Sequence, residues 1–290
     1  VIDFYRAARA AGINPILGCE VYVAPGSRFD REIGSGDDRY YHLVLLAENN
    51  QGYANLMKIV SKSFVEGFYY KPRVDLQLHE GLIALSACLA GEVARFLTRG
   101  MYEDAKAAAL RYQDIFGKGN FFLELQDHGI PEQQNVNQQL LKMHRETGIE
   151  LVATNDVHYT LAEDAQPHDV LLCLQTGKKL SDENRMRYDG GQYYVKSPEE
   201  MERLFPYATE ALENTHKIAE RCHVEIEFGV TKLPKFDVPE GYTSWEYLNE
   251  LCFKGLEERY QPVTEELKER LNYELSTIKN MGYVDYFLIV

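Results

Sequence analysis

The chain has 290 residues, of which 45% are hydrophobic and 26% charged, and its 45 acidic side chains outnumber the 31 basic ones. This composition excludes a disordered chain, and no apolar run approaches the roughly 18 residues that a transmembrane helix needs. The five cysteines are scattered without close pairs, which argues against a disulfide framework and for a reducing compartment. We therefore expect a soluble, cytoplasmic protein of about two domains with no membrane partner.

The formal net charge of −14 is confined to one part of the chain. Residues 1–120 carry equal numbers of acidic and basic side chains, and residues 121–290 carry the whole excess. A negative net charge disfavours partners that carry phosphates, but an average over two unlike parts describes no single surface. Net charge therefore leaves a nucleic-acid partner open.

Residues 1–160 alternate between helical patterns and short apolar runs. The chain opens on an amphipathic helix that starts at Val1 and ends at Gly12. Strands are predicted at residues 13–23, 43–47, 82–85, 121–125 and 150–153. Helices are predicted near residues 53–64, 92–98, 102–116 and 132–147. Apolar strands separated by helices are typical of a parallel sheet covered by helices, so we expect an α/β fold.

From about residue 160 onward, strand patterns give way to helices. Helices are predicted at residues 201–205, 214–222, 244–260 and 264–282. The first begins with a capping box at Ser197 followed by Pro198, and the last has Thr264 as its N-cap. This change of pattern predicts an all-helical region at the end of the chain.

The best candidate for a linker is residues 230–241, which contain two prolines. It divides the chain into predicted domains at residues 1–229 and 242–290. The opening helix has no strand before it, and the final apolar run at residues 286–290 has no stop signal after it. We therefore interpret the chain as an excerpt of a longer protein.

Four side chains of metal-binding type lie where predicted strands end. Glu20, Cys88 and the pair Asp156 and His158 each follow an apolar strand. In a β/α barrel the carboxyl ends of the strands converge on one mouth, so these groups would meet there. Residues i and i+2 of an extended segment project to the same side, so Asp156 and His158 would point at one place. An oxygen ligand beside a nitrogen ligand suits Zn²⁺ or Mn²⁺.

Each of these side chains also has a plainer interpretation. Asp156 could simply orient a structural His158 at a turn, and Glu20 could point to solvent at a sheet edge. A lone cysteine such as Cys88 is most often a small buried hydrophobe. Glu20 is the stronger candidate, because a carboxylate in a strand buried on both faces must be paired, protonated or metal-bound.

The strand-end rule does not select His42, which precedes its apolar run. The pattern alone favours a core or edge histidine at this position. Glu124 and His128, near another strand end, form a weaker candidate pair. The histidines of predicted loops and helices lack converging partners, and we expect them at the surface; they are His79, His128, His144, His168, His216 and His223.

The same residues carry a resemblance to a known family. Four motifs resemble, in order, the polymerase and histidinol phosphatase (PHP) domain of bacterial DNA polymerase III alpha subunits, the replicative C-family polymerases. They are GCEVYV at 18–23, YHLVLLA at 41–47, LSACLAGE at 85–92 and ATNDVHY at 153–159. The resemblance continues through FLELQDHG at 122–129 and ends in YELSTIKNMGY at 273–283, which is similar to the opening of the polymerase core. It covers essentially the whole chain.

The resemblance implies a distorted seven-stranded β/α barrel whose mouth holds divalent metals, with the N-terminal strand missing from the chain. Five of the family's metal-ligand positions match, and this changes the expectation for two of them from core residues to ligands. The five are Glu20, His42, Cys88, Asp156 and His158. The family's HxH motif and Asp-His pair would lie upstream, and the catalytic carboxylates and Mg²⁺ site of the polymerase downstream. Residues 1–229 would then be the PHP domain and residues 242–290 the helical start of the polymerase core.

The resemblance also implies a function. Zn or Mn held at this mouth would activate water and neutralise a scissile phosphodiester, with Asp156, His158 and Glu20 as catalytic residues of a 3′→5′ exonuclease. The intact protein would be a DNA-directed DNA polymerase acting on primer-template DNA with a proofreading subunit and a sliding clamp.

Two alternatives remain open from the sequence. The PHP region could be a non-catalytic structural module that stabilises the polymerase and docks a separate proofreading subunit. A stand-alone phosphoesterase of the histidinol phosphatase type fits the metal residues but not the polymerase-like segment at 273–283.

Overall fold

The computed structural model describes residues 1–31, 39–77, 79–230 and 232–290. The chain forms two compact units, Val1–Glu225 and Ile226–Val290. The predicted linker at 230–241 falls in the second unit, and its Thr231 lies outside the described residues. Within these ranges, no helix combines the length and the apolar character that a membrane span requires.

The first unit alternates strands and helices, as the apolar runs predict. Its elements are α1 (Ile2–Ala10), β1 (Gly18–Val23), β2 (Tyr41–Ala47), α2 (Asn50–Val65), β3 (Phe68–Tyr69), β4 (Lys71–Val74), β5 (Leu82–Leu85), α3 (Glu92–Thr98), α4 (Tyr102–Phe116), β6 (Phe121–Leu125), α5 (Pro131–Thr147), β7 (Leu151–Ala153), α6 (Ala165–Thr176), α7 (Pro198–Leu204) and α8 (Thr209–Arg221). The bounds of α3, α4 and β6 coincide with the predicted ones. The capping box at Ser197 is also confirmed, because its side chain accepts a hydrogen bond from the Glu200 N–H.

The strands form one open mixed sheet in the order β3-β4-β1-β2-β5-β6-β7, in which β3 has only two residues. Within the described part of the chain, the edge strands β3 and β7 do not pair with each other, so no closed barrel is observed. The expected parallel pairing holds for β1–β4, β5–β6 and β6–β7 but not for β2, which runs antiparallel to both β1 and β5. The segment at 26–39 that precedes β2 has no helical pattern, and strands joined without a crossover helix pair antiparallel. Residues 32–38 of that segment lie outside the described residues.

Three elements of this unit, β3, β4 and α6, have weak sequence signals and are not predicted by the apolar pattern. The β3–β4 hairpin lies in a stretch that mixes aromatic, charged and proline residues, and its turn at Tyr70 has a positive φ of 60°. Helix α6 has apolar residues on its exposed side, such as Leu171 and Leu174, so no single buried stripe marks it. Apolar periodicity therefore locates only those elements that bury one defined face.

The core lies around the three strands at the parallel edge of the sheet. Every residue of β5, β6 and β7 is buried. Side chains of these strands pack against α8 in one cluster, formed by Ile83, Leu85, Phe122, Val152, Ile218 and Cys222. Helices α4 and α5 also contact β6. Burial on both faces explains the apolar runs of these strands, in which Glu124 of β6 is the one charged side chain.

The second unit contains α9 (Ser244–Arg259), α10 (Glu265–Asn280) and α11 (Val284–Ile289). The N-cap role predicted for Thr264 is confirmed, because its side chain accepts a hydrogen bond from the Leu267 N–H. The short helix α11 was not predicted. Its Asp285 accepts hydrogen bonds from the Ser244 hydroxyl at 2.9 Å and the Phe236 N–H at 3.2 Å.

Candidate metal centre

The first part of the site is built across the antiparallel pair β1 and β2. Glu20 lies opposite Val44, and His42 lies opposite Tyr22, so Glu20 and His42 are diagonal neighbours on one face. The His42 Nδ1 is 2.9 Å from a carboxylate oxygen of Glu20. Because β2 runs antiparallel, its first residues lie beside the last residues of β1. The strand-end rule missed His42 for this reason.

The third side chain of this group comes from the loop after β5, residues 86–91, which we call the Cys88 loop. The Cys88 Sγ lies 3.6 Å from the His42 Nδ1. Residue Ala87 has a positive φ of 64°, a conformation that costs a non-glycine residue roughly 1–2 kcal/mol. Gly91 closes the loop, since a Cβ there would meet the Ser86 carbonyl oxygen at 2.1 Å. The backbone of this loop is thus bent in a way that aims Cys88 at His42.

The electrostatics of this group favour an ion pair in the metal-free protein. Burial opposes protonation of His42, but hydrogen bonds to Cys88 and Glu20 outweigh it and raise the pKa of His42 to about 9. The hydrogen bond from His42 lowers the pKa of Glu20, and the positive charges of His42 and His158 lower it further. A bound cation would replace the proton of His42 as the positive charge at this place.

These three side chains fit a divalent metal. Glu20, His42 and Cys88 each offer one ligand atom, and the three atoms lie within 4.8 Å of one another. Ligands at about 2.0–2.3 Å in a tetrahedral shell are themselves separated by about 3.5 Å. The observed distances of 2.9 and 3.6 Å lie on either side of that value. The set of one carboxylate, one imidazole and one thiol is typical of sites for zinc and similar ions.

Asp156 and His158 form a separate pair on the irregular segment that follows β7. The His158 Nε2 is 3.2 Å from the Asp156 Oδ1, so the i, i+2 spacing does bring the two side chains together. Both side chains are about one-third exposed, at 30% and 34%. Among the described residues, the group whose ligand atoms all lie within 4.8 Å of one another consists of Glu20, His42 and Cys88, and it does not include Asp156 or His158. The predicted convergence of all these groups is therefore seen as two neighbouring clusters.

The charges of the two clusters act on groups of the other cluster and on a tyrosine beside them. The charge of His158 lowers the pKa of Glu20. Burial raises the pKa of Tyr188, and the charges of Asp156, Cys88 and Glu20 raise it further. The Tyr188 ring lies 4.3 Å from the His158 ring between centroids. Tyr188 is thus a neutral phenol close to members of both clusters, and no sequence pattern singled it out.

Two histidines expected at the surface instead pack around this site. His128 is only 2% exposed, stacks on Tyr193 and accepts a hydrogen bond from the Asp156 N–H at its Nε2. His168 packs 5.8 Å from the His158 ring. The prediction failed because these residues lie in loops or helices by sequence, yet the loops fold back over the end of β7.

The weaker candidate pair of Glu124 and His128 contributes in a different way. Glu124 is 5% exposed and lies beneath the Cys88 loop, where its carboxylate accepts the Ala87 N–H at 2.8 Å. Burial raises the pKa of Glu124, while hydrogen bonds from Thr154, Gln126 and Ala87 oppose that rise. Glu124 and His128 therefore each support a different cluster.

Comparisons with known proteins agree with the geometry. Residues 1–128 match the PHP domain family, and residues 246–290 match the family described as bacterial DNA polymerase III alpha NTPase domain. Over its full length the chain is 46% identical to the DNA polymerase III subunit alpha of Treponema pallidum and 46% identical to that of Borreliella burgdorferi. The chain is thus similar to these subunits along its whole length. Its PHP match includes Glu20, His42 and Cys88.

The similarity extends to a relative of lower sequence identity. The DNA polymerase III subunit alpha of Thermus aquaticus is 39% identical over 100% of the chain. The chain spans 25%, 26% and 29% of the length of the Treponema, Borreliella and Thermus relatives. A PHP match together with a cluster of carboxylate, imidazole and thiol ligands indicates a divalent-metal site in this chain.

Proposed function

We propose that the first unit is the metal-binding part of a PHP-type barrel, the PHP domain predicted at residues 1–229. Its ligands would be Glu20, His42 and Cys88, with Asp156 and His158 completing the centre. The group of three ligand atoms within 4.8 Å is the single observation that carries this proposal. A thiolate ligand beside nitrogen and oxygen favours Zn²⁺, and Mn²⁺ is the second candidate.

The proposed reaction is hydrolysis of a terminal phosphodiester, as a 3′→5′ exonuclease. A divalent ion at this centre would supply Lewis-acid stabilisation of charge on the phosphate and ease deprotonation of water. Glu20 and Asp156 would hold the cation through their carboxylates. His158, one-third exposed beside Asp156, would be the group that exchanges a proton with the reacting oxygen. Tyr188 is kept protonated and so can donate a hydrogen bond to a phosphate oxygen.

For the whole protein we propose DNA-templated DNA synthesis in replication, as the names of its relatives indicate. Residues 242–290 would form the helical start of the polymerase core, after the linker at 230–241. The partners would then be primer-template DNA, a proofreading subunit and a sliding clamp in the cytoplasm, with Mg²⁺ at a polymerase site that is not in this chain.

The direct test is release of nucleotides from a mismatched primer terminus by the intact protein that carries this chain. Wild type should release nucleotides only when Zn²⁺ or Mn²⁺ is present. Asp156→Asn and His158→Ala should remove that release and leave polymerisation intact, which is the matched control. If wild type and both variants degrade the primer equally slowly while polymerising normally, the region is instead a structural module that supports the polymerase and docks a proofreading subunit.

A further inference from the structure

Glu124 lies between the two clusters of the proposed centre and is hydrogen-bonded to the segment that carries each of them. It sits in β6, whose neighbours in the sheet are β5 on one side and β7 on the other. The Cys88 loop follows β5, and the segment with Asp156 and His158 follows β7. A buried carboxylate in the central strand can therefore reach both segments.

One carboxylate oxygen of Glu124 is bound to the Cys88 loop. Its Oε2 accepts the backbone N–H of Ala87 at 2.8 Å. The Glu124 N–H in turn donates to the Ser86 hydroxyl at 2.8 Å. Ala87 is the residue with a positive φ, directly before Cys88. These two hydrogen bonds hold the strained backbone in the conformation that aims Cys88 at His42.

The other carboxylate oxygen is bound to the segment after β7. Its Oε1 accepts hydrogen bonds from the Thr154 hydroxyl and, at 3.1 Å, from the Gln126 side-chain amide. Thr154 precedes Asp156 by two residues, and its own N–H donates to the Leu125 carbonyl at 3.0 Å. The carboxylate thus fixes the point from which the Asp156 and His158 segment departs.

We propose that Glu124 is a positioning residue that holds the Cys88 loop and the Asp156–His158 segment in register, so that one metal centre can draw on both clusters. This inference rests on the proposed metal centre. It assigns no ligand role to Glu124, because both of its oxygens already accept hydrogen bonds from the surrounding protein.

A carboxylate fits this position because three donors converge on it and an ionised carboxylate can only accept. In a Glu124→Gln variant one oxygen becomes an amide that donates. The new NH₂ group can take the place of either oxygen. In one orientation the Ala87 N–H loses its acceptor, and in the other the NH₂ group faces the Gln126 amide and the Thr154 hydroxyl. The side-chain volume hardly changes, so the variant tests hydrogen bonding and not packing.

The experiment is a Co²⁺ titration of the intact protein, followed by the thiolate-to-cobalt charge-transfer absorption that reports Cys88 as a ligand. Cys88→Ala should lack this absorption. Glu124→Gln should bind Co²⁺ about 10–100-fold more weakly, the loss typical of removing an outer-shell partner. Thr154→Val leaves the hydrogen bond between Glu124 and the Ala87 N–H in place. This variant should lose less Co²⁺ affinity than Glu124→Gln and should keep the full charge-transfer absorption at saturation.

The matched control is Glu92→Gln. Glu92 is also a buried carboxylate, 8% exposed, but its Oε2 accepts from Arg111 and Tyr112 on α4 and not from the site. This variant should melt at a lower temperature and bind Co²⁺ as wild type does. A metal-free measurement is the alkylation rate of Cys88, read by peptide mass spectrometry, which should rise in Glu124→Gln while that of Cys19 stays constant.

The outcomes separate this inference from the proposed function. Wild-type Co²⁺ affinity and an unchanged Cys88 alkylation rate in Glu124→Gln overturn the positioning role and leave the metal centre standing. Equal losses of affinity in Glu124→Gln and Glu92→Gln also overturn it, since general destabilisation would then explain both. Absence of the thiolate absorption in wild type removes the metal centre itself and the inference with it.

Discussion

The two ligand clusters differ in how the fold holds them. Glu20 and His42 lie on the paired strands β1 and β2. Cys88 lies in a loop that is hydrogen-bonded to β2, because the His42 N–H donates to the Ala90 carbonyl at 3.1 Å. Asp156 and His158 lie beyond the end of β7, on a segment with no regular structure. That segment is held by single contacts, such as the His158 N–H to the Tyr193 carbonyl at 2.8 Å. Paired strands therefore hold the first cluster, and individual hydrogen bonds hold the second.

This difference assigns different work to the clusters. A metal gains most affinity from ligands that are already in place, because little ordering remains to be done when it binds. A group that exchanges a proton with the reacting oxygen acts on the rate of hydrolysis and need not contribute to metal affinity. We expect metal affinity to depend mainly on Glu20, His42 and Cys88, and hydrolysis to depend mainly on Asp156 and His158.

The largest expected effect is on metal affinity in His42→Ala. His42 contacts both other ligands, at 2.9 Å to Glu20 and 3.6 Å to Cys88, so its removal leaves the first cluster without its centre. The loss should exceed the roughly 10–100-fold that outer-shell changes produce. Isothermal titration with Zn²⁺ measures it, and the exposed His216→Ala is the control that should bind as wild type. A loss of only a few fold would mean that the first cluster is not the main binding group.

The second prediction concerns His158→Ala, which should lower the rate of hydrolysis more than it lowers metal affinity. Metal affinity should fall less than in His42→Ala, whereas metal-dependent release of nucleotides should fall by about 10²–10⁴-fold, the typical contribution of a general acid or base. Titration and primer degradation on the same preparation measure both. If affinity collapses while the residual rate per bound metal is unchanged, the division of labour between the clusters is wrong.

A smaller effect is expected when the support of the second cluster is weakened. His128→Phe keeps a ring that can stack on Tyr193 but removes the acceptor for the Asp156 N–H. The loss of one such hydrogen bond corresponds to about 0.5–1.5 kcal/mol, a rate decrease of about 2–12-fold. Nucleotide release should fall by this amount with metal affinity unchanged. A fall in affinity equal to that of His42→Ala would show that the clusters are not separable.

The smallest effect is the pH dependence of the metal-free protein. Folding raises the pKa of His42 from 6.5 to about 9, although burial alone would lower it, because Cys88 and Glu20 hydrogen-bond to it. A raised histidine pKa contributes stability that is complete below 6.5 and is lost as the pH rises through about 9. Denaturant midpoints of chelator-treated protein should decline over this window. The decline of the midpoint with pH should be smaller in Glu20→Gln. An NMR titration that gives His42 a pKa of 6.5 or below would contradict this prediction.

The sequence predicts best the parts whose residues are buried on both faces. Strands β5 and β7 appear as continuous apolar runs and β6 as one interrupted only by Glu124, and the polar residues after β5 and β7 mark the site at their ends. The direction of β2 is not contained in its own residues, because apolar alternation is the same for parallel and antiparallel neighbours. For this reason His42 was found only through the family resemblance, although it lies at the centre of the first cluster.

The supporting residues were harder to predict from the sequence. His128 and Tyr193 lie far apart in the chain and meet only because residues after α6 fold back over the end of β7. Glu124 was noted as a weak metal candidate, whereas its two oxygens accept hydrogen bonds from segments 37 and 30 residues away. Contacts of this kind depend on tertiary packing, which no local pattern encodes.

The most direct test of the metal centre is X-ray absorption at the zinc edge of the Zn²⁺-loaded protein. A centre built on Glu20, His42 and Cys88 predicts one sulfur ligand at about 2.3 Å together with nitrogen and oxygen ligands at about 2.0–2.2 Å. Cys88→Ser should lose the sulfur shell and keep the lighter ligands. A spectrum without sulfur in the wild-type protein, or one unchanged by Cys88→Ser, would contradict the proposed centre.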